Sequence, residues 1–411
     1  MGKATERCFK AALVLLLLII AAGCEKKEKD TEEVITGTDG IVISFVENFP
    51  QDKYILSPGE TQDFTAVVEV KNKGATPLDS GLEHLLHESF KQYLIENKYA
   101  KSDDPTHIER VLKADWDKLT EEQKKTNGGT FENYLVNFFQ YEKDKTFKEQ
   151  FENFKKTIGI LFIGGFDDGI IVMNDKNNDK KVDFEDKSNS LLSMLLPAKS
   201  QFNPNGGFGT VEFGGKIAAD KLGVNRYEPV ILATACYPYA TKAGPNVCID
   251  PIPFDDKQEK VCSIGSHTLS NQGAPIAVTR IDQEASSTKL RFKITIKNAG
   301  NGDVIQPTSL QKCSSATNQL KREDFDLVEL TSVKAGTKEL LADCGPFAKQ
   351  CTDPATPCPK LIRLFDGEGF VVCTMNITKL GSSAYLTPLI IELKYGYRTT
   401  ASKPISIRKI E

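Results

Sequence analysis

The chain has 411 residues, 40% of them hydrophobic and 26% charged, with a formal charge of −4 and a pI near 5.8. That length supports two or three cores, and the composition excludes a disordered chain and a polytopic membrane protein. A mildly acidic balance with no long Lys/Arg block speaks against a nucleic-acid partner.

Lys3, Arg7 and Lys10 make a basic start, and residues 11–23 are an apolar run. A membrane span needs about 20 residues, so the run suits a signal-peptide core better. It closes on Ala21-Ala22-Gly23-Cys24, which has the form of a lipobox, cut before a cysteine that carries a diacylglyceryl group. Residues 1–24 are thus expected to be a signal peptide ending in a lipidated Cys24, with an uncleaved anchor helix as the alternative. Both place the remainder outside the cell membrane. Residues 25–39 open on a run without apolar side chains and read as a charged, flexible linker.

From residue 40 the pattern is β. Residues 41–46 form an apolar strand, Ser57-Pro58-Gly59-Glu60 a turn, and residues 64–70 alternate. The period then changes. Ser80 and Glu83 make a capping box before Leu82, Leu85, Leu86, Phe90 and Tyr93 on one helical face. Asp104-Pro105 opens a second helix that runs through Leu119 and breaks at Asn127-Gly128-Gly129. Thr130 and Thr146 start two more. Residues 80–158 are read as a helical subdomain inserted into a β-domain, with strands resuming at 158–163 and 169–173.

The best candidate site follows. Asp175, Asn177, Asp179, Asp183 and Asp186 carry side-chain oxygens at the spacing of an EF-hand loop, and Lys181 offers its carbonyl. The loop 175–186 is expected to hold a structural Ca2+, with a solvated hairpin turn rich in Asp, Asn and Lys as the alternative. Lys180 stands where such loops have a turn-making glycine, the entry is a strand, and residues 187–196 are expected to supply the exit helix.

Apart from Cys8 and Cys24, the cysteines are Cys236, Cys248, Cys262, Cys313, Cys344, Cys351, Cys358 and Cys373. An even number in an exported segment favours disulfides. Cys248 and Cys262 bracket a Pro-rich loop and are read as a staple at the domain junction. Cys351 and Cys358 flank another loop and are read as closing it locally, and a zinc site from Cys344, Cys351 and Cys358 is the rival reading. Asn376-Ile377-Thr378 is an N-glycosylation sequon.

The chain also repeats itself. Val70-Lys71-Asn72-Lys73-Gly74 returns as Ile296-Lys297-Asn298-Ala299-Gly300, and Tyr237-Pro238-Tyr239-Ala240-Thr241 returns as Tyr395-Gly396-Tyr397-Arg398-Thr399. A Pro-Gly-Glu turn before a strand ending Lys-Asn-x-Gly resembles the CARDB-type, immunoglobulin-like modules of bacterial and archaeal envelope proteins. The wider context, from residues 39–45 through Cys236-Tyr237-Pro238-Tyr239 to residues 273–281, resembles a group of uncharacterised archaeal envelope proteins. The resemblance covers most of the exported part outside the helical block. It implies a sandwich pair on a membrane anchor and brings no activity.

The expectation is a mainly β protein with two immunoglobulin-like β-sandwich domains in tandem. Domain 1 spans 40–262 with the insert 80–158, and domain 2 spans 263–411. No Gly-x-Ser-x-Gly, P-loop or dinucleotide motif is present. A non-enzymatic, membrane-anchored envelope protein is expected, meeting an envelope protein or glycan through the helical insert. The alternatives are an extracellular hydrolase with its site between the insert and domain 1, and a solute-binding lipoprotein.

Overall fold

Alternation decides the strands. In the computed structural model, residues 64, 66, 68, 70 and 72 of β3 (Thr61–Asn72) are buried, while the residues between them are at least partly exposed. A chain segment with a two-residue period presents one face to a core and the other to water. The structure describes residues 37–78, 117–126, 159–175, 187–190, 196–255, 259–313, 320–348, 359–378 and 380–410. It is mainly β, with twenty-one strands among the described residues.

Three sheets set the architecture. The first is four-stranded, in the order β1 (Ile41–Phe45), β3, β7 (Phe208–Ala218), β5 (Ile171–Met173). Another has five strands: β11 (Ser266–Thr268), β12 (Ile276–Ala285), β13 (Lys289–Asn298), β19 (Glu368–Asn376) and β17 (Cys344–Gly345). Their central trios are paired in matching register. Ile41 faces Asn72 as Ile276 faces Asn298, and Val70 faces Gly209 as Ile296 faces Gly369. The repeat seen in sequence is therefore a repeat of sheet geometry.

The nine-stranded sheet joins the copies. Its core order is β16 (Lys338–Glu339), β15 (Leu327–Ala335), β20 (Tyr385–Pro404), β9 (Val230–Ala243), β4 (Ile160–Gly164) and β6 (Ser188–Ser190). The two Tyr-x-Tyr strands are direct antiparallel neighbours, with Tyr237 opposite Tyr397, Pro238 opposite Gly396 and Tyr239 opposite Tyr395. That register is a local two-fold centred on the Pro238–Gly396 pair.

Each copy also completes the other. The end of β20 pairs with Val230–Cys236 of β9, and β10 (Asn246–Ile249) pairs with the start of β20. Near the C-terminus, β21 (Ser406–Lys409) lies parallel to β2 (Lys53–Leu56) and antiparallel to β8 (Arg226–Tyr227). One hydrophobic core runs from Ile41 to Ile407, and residues 35–411 make one compact unit. Such interleaving leaves no place to cut the copies apart without exposing ladder groups.

Among the described residues three disulfides add covalent ties: Cys236–Cys313, Cys248–Cys262 and Cys344–Cys373. The first holds β9 to the short helix α2 (Leu310–Cys313), where Ile305 and Leu310 complete a small satellite core. The second closes the Pro-containing loop beside β10, where Gln283 of β12 grips both the N–H and the C=O of Cys248. Cys351 and Cys358 lie outside the described residues.

Two local expectations are corrected. Of the block 80–158, the described part is residues 117–126, and the expected helix through Leu119 is interrupted there. Thr120 accepts the N–H of Gln123 and donates its own to the Gln123 side chain, so it caps a fresh helix α1 (Glu121–Thr126). The polar Thr-x-x-Gln box starts a helix more effectively than it continues one. The expected exit helix at 187–196 is also absent at 188–190, which form β6 against Ile160–Phe162. A free ladder edge on β4 offers that segment backbone partners that a lone helical turn would lack.

Candidate functional site

The repeated motifs meet in the core. The rings of Tyr237, Tyr239, Tyr395 and Tyr397 form a closed cycle, with centroids 5.8 Å (237–239), 6.2 Å (239–395), 6.3 Å (395–397) and 6.0 Å (397–237) apart. Tilted and edge-on packing at these distances suits the aromatic quadrupole. All four residues are at most 3% exposed.

Each hydroxyl reaches a defined partner on the smaller sheets. Tyr237 donates to the carbonyl of Ile41 and accepts its N–H, at 3.2 and 3.1 Å. Tyr395 lies 2.9 Å from the Thr241 hydroxyl and accepts from the N–H of Ile276. Tyr239 donates to Asn72 Oδ1 at 3.3 Å, and Tyr397 donates to Asn298 Oδ1 at 3.1 Å. The two asparagines turn the chain alike, with Nδ2 donating to the carbonyl four residues on, Thr76 or Gly302.

This geometry explains the Lys-Asn-x-Gly motif. A Cβ on Gly74 would collide with the Tyr239 hydroxyl, and one on Gly300 with the Tyr397 hydroxyl. The glycine makes room for the phenol that the asparagine binds. Burial raises all four phenol pKa values, that of Tyr397 to about 12 despite hydrogen bonds from Gly302 and to Asn298. Protonated, fully packed phenols with fixed partners brace a structure; they are not poised for acid–base chemistry.

The expected metal loop is only touched by the structure. Asp175 ends the described segment after β5, and Asn177, Asp179, Lys181, Asp183 and Asp186 lie outside the described residues. Among the described residues no group of three or more His, Cys, Asp or Glu side chains could hold a metal ion. Cys24 also lies outside them, and no described helix is long and apolar enough to cross a membrane.

A groove is the feature that the sequence reading missed. It encloses about 580 Å³ and is lined by Phe347, Ile362, Arg363, Phe365, Glu368 and Phe370 among others. A hairpin builds its rim: Phe365 and Glu368 exchange backbone hydrogen bonds around Asp366-Gly367, both at positive φ. An Asp-Gly pair suits that turn because the type I′ geometry needs two left-handed residues. Phe365 is 73% and Phe370 49% exposed, and Lys293 sits 4.9 Å over the Phe370 ring. Asp366-Gly367 was the available signal, since it fixes a tight hairpin and so sends the aromatics beside it outward.

Among the described residues three carboxyls outside the tyrosine core are displaced, and hydrogen bonds from Ser266 and Arg280 hold that of Asp282 below its usual range. Burial pushes Asp324 up, but hydrogen bonds from Lys312, Ser309 and the Lys321 N–H outweigh it and hold the group below the usual range. Burial raises Glu329, opposed by Lys394 across the ladder. Asp324 lies in a short 3-10 turn (Arg322–Asp324) and Asp282 and Glu329 in strands, each a single group with structural partners. No protein-family model matches the chain, and a search of curated proteins finds no match.

Proposed function

We propose that the chain is a non-enzymatic, membrane-anchored envelope protein whose two immunoglobulin-like halves act as a rigid spacer and interaction module. In this reading the halves are CARDB-like, and the block 80–158, between β3 and β4, is a helical insert that meets an envelope protein or glycan. The observation that carries it is the shared sheet, in which four buried tyrosines and the strand exchange tie both copies into one body. Such a body transmits position and force without a hinge, as a spacer must. Three disulfides support the outward-facing address, because thiols stay reduced in most cytosols.

Intact cells treated with a membrane-impermeant amine label test the address. The full chain should take up label, sediment with membranes and run as a disulfide-bonded species without reductant. A soluble, unlabelled protein with free thiols would overturn the reading. A Ca2+ ion in the loop 175–186 belongs to the same proposal, as a local staple beside β5. Added Ca2+ should then raise the melting temperature, and Asp179→Ala should abolish that rise; an unchanged melting curve removes the ion.

A further inference from the structure

We infer that Asn376 is a site of N-linked glycosylation, which rests on the outward-facing address proposed above. The sequon sits where β19 ends, with Asn376 its last residue and exposed. Ile377 is 1% exposed and its N–H bonds to the Thr288 carbonyl, so it anchors the tripeptide while its neighbours face solvent. On one side Asn376 pairs with Lys289. On the other, β17 stops with Cys344 opposite Cys373, so that ladder ends before the asparagine. A transferase can therefore approach Asn376 from the edge of the sheet.

The carboxamide is arranged for the chemistry. Asn376 Oδ1 accepts the Thr378 N–H at 2.9 Å and the Thr378 hydroxyl at 2.7 Å. Its Nδ2 donates no hydrogen bond within the described protein. Two donors on the oxygen draw charge onto it and make an Nδ2 proton easier to lose. The reaction joins Nδ2 to C1 of the first sugar while the C1–O bond to a polyprenyl phosphate carrier breaks. The carrier leaves with that bond's electron pair, and the amide proton passes to a base of the transferase. The carrier-linked oligosaccharide is the co-reactant, and no oxidant or reductant is required.

The test uses the full chain, exported in a host with N-linked transfer machinery and in a matched strain lacking it. Mass spectrometry of the peptide holding Asn376 should find a sugar mass in the first host and none in the second. Asn376→Gln and Thr378→Ala should each abolish the added mass, whereas Thr378→Ser should keep some. Export is read in the same samples by surface labelling. An exported, disulfide-bonded protein with an unmodified Asn376 overturns this inference and leaves the address standing. A protein that stays inside the cell, with Asn376 bare, overturns both.

Discussion

Raising the pH above 10 should unfold this protein steeply. Tyr237, Tyr239, Tyr395 and Tyr397 are buried with raised pKa values, and Tyr54, 1% exposed, is raised by burial as well. In the unfolded chain these phenols ionise near pH 10; in the folded one they hold their protons longer. The unfolded state therefore binds fewer protons once the pH passes 10, and stability falls as pH rises. The contribution is complete below pH 10 and is lost as the pH climbs through the folded pKa values. Each tyrosine costs about 1.4 kcal/mol per pH unit in that window, so the four of the cycle together approach about 5 kcal/mol per unit. That rivals the whole stability of an ordinary domain, about 5–15 kcal/mol.

Melting curves across the alkaline range, read with phenolate absorbance, check this. Exposed tyrosines such as Tyr385 ionise in the folded protein, and the ionisation of the buried ones should coincide with loss of structure. Ionisation of all eleven tyrosines near pH 10 in a protein that stays folded would show the cycle to be accessible to water, against its burial.

Asn72→Ala should destabilise the protein by about 3–4 kcal/mol, roughly twice the effect of Asn298→Ala. Asn72 is fully buried; its Nδ2 donates to the Thr76 and Leu196 carbonyls, and its Oδ1 accepts from Gly74 and Tyr239. Alanine takes a partner from four polar groups: Tyr239 keeps the Thr76 N–H and the Leu196 carbonyl keeps the Leu78 N–H, but the Gly74 N–H in the buried corner loses its acceptor. Asn298 is half-buried and binds the Gly302 carbonyl and the Tyr397 hydroxyl, and Tyr397 keeps the Gly302 N–H as a partner. Solvent can replace part of what is lost there. Urea unfolding measures both, with the midpoint shifting at constant slope if the native fold is kept. Equal shifts would mean that the two corners are energetically alike and that burial is not what separates them.

Identical motifs thus predict unequal energies, and the inequality lies in the surroundings. The strand positions were legible from alternation: residues 64–70 and 290–296 lie inside β3 and β13. The two Tyr-x-Tyr strands were legible as copies of one another. Their direct pairing was not, because a strand's pattern names its buried face and not its neighbour. Residues 188–190 turned out as a strand for the same reason: the edge of β4 that takes them is far away in sequence. The cap at Thr120 could have been read, since Thr-x-x-Gln is a local signal; the longer apolar period across Leu119 obscured it.

The groove shows the limit from the other direction. Phe347, Phe365 and Phe370 belong to different segments, and hydrophobic residues in strands are ordinarily counted toward the core. The hairpin at Asp366-Gly367 turns Phe365 and Phe370 to the surface, whereas Phe347 stays partly buried against the core.

What the sequence determined alone was whatever acts over a few residues: alternation, turns, caps and the twice-used motif. Tertiary structure decided which strands meet, and so which side chains lose water. That decision gives Tyr397 and Asn72 their energies, since a hydrogen bond between groups far apart in the chain has no local signature, and its worth is set by the solvent it excludes.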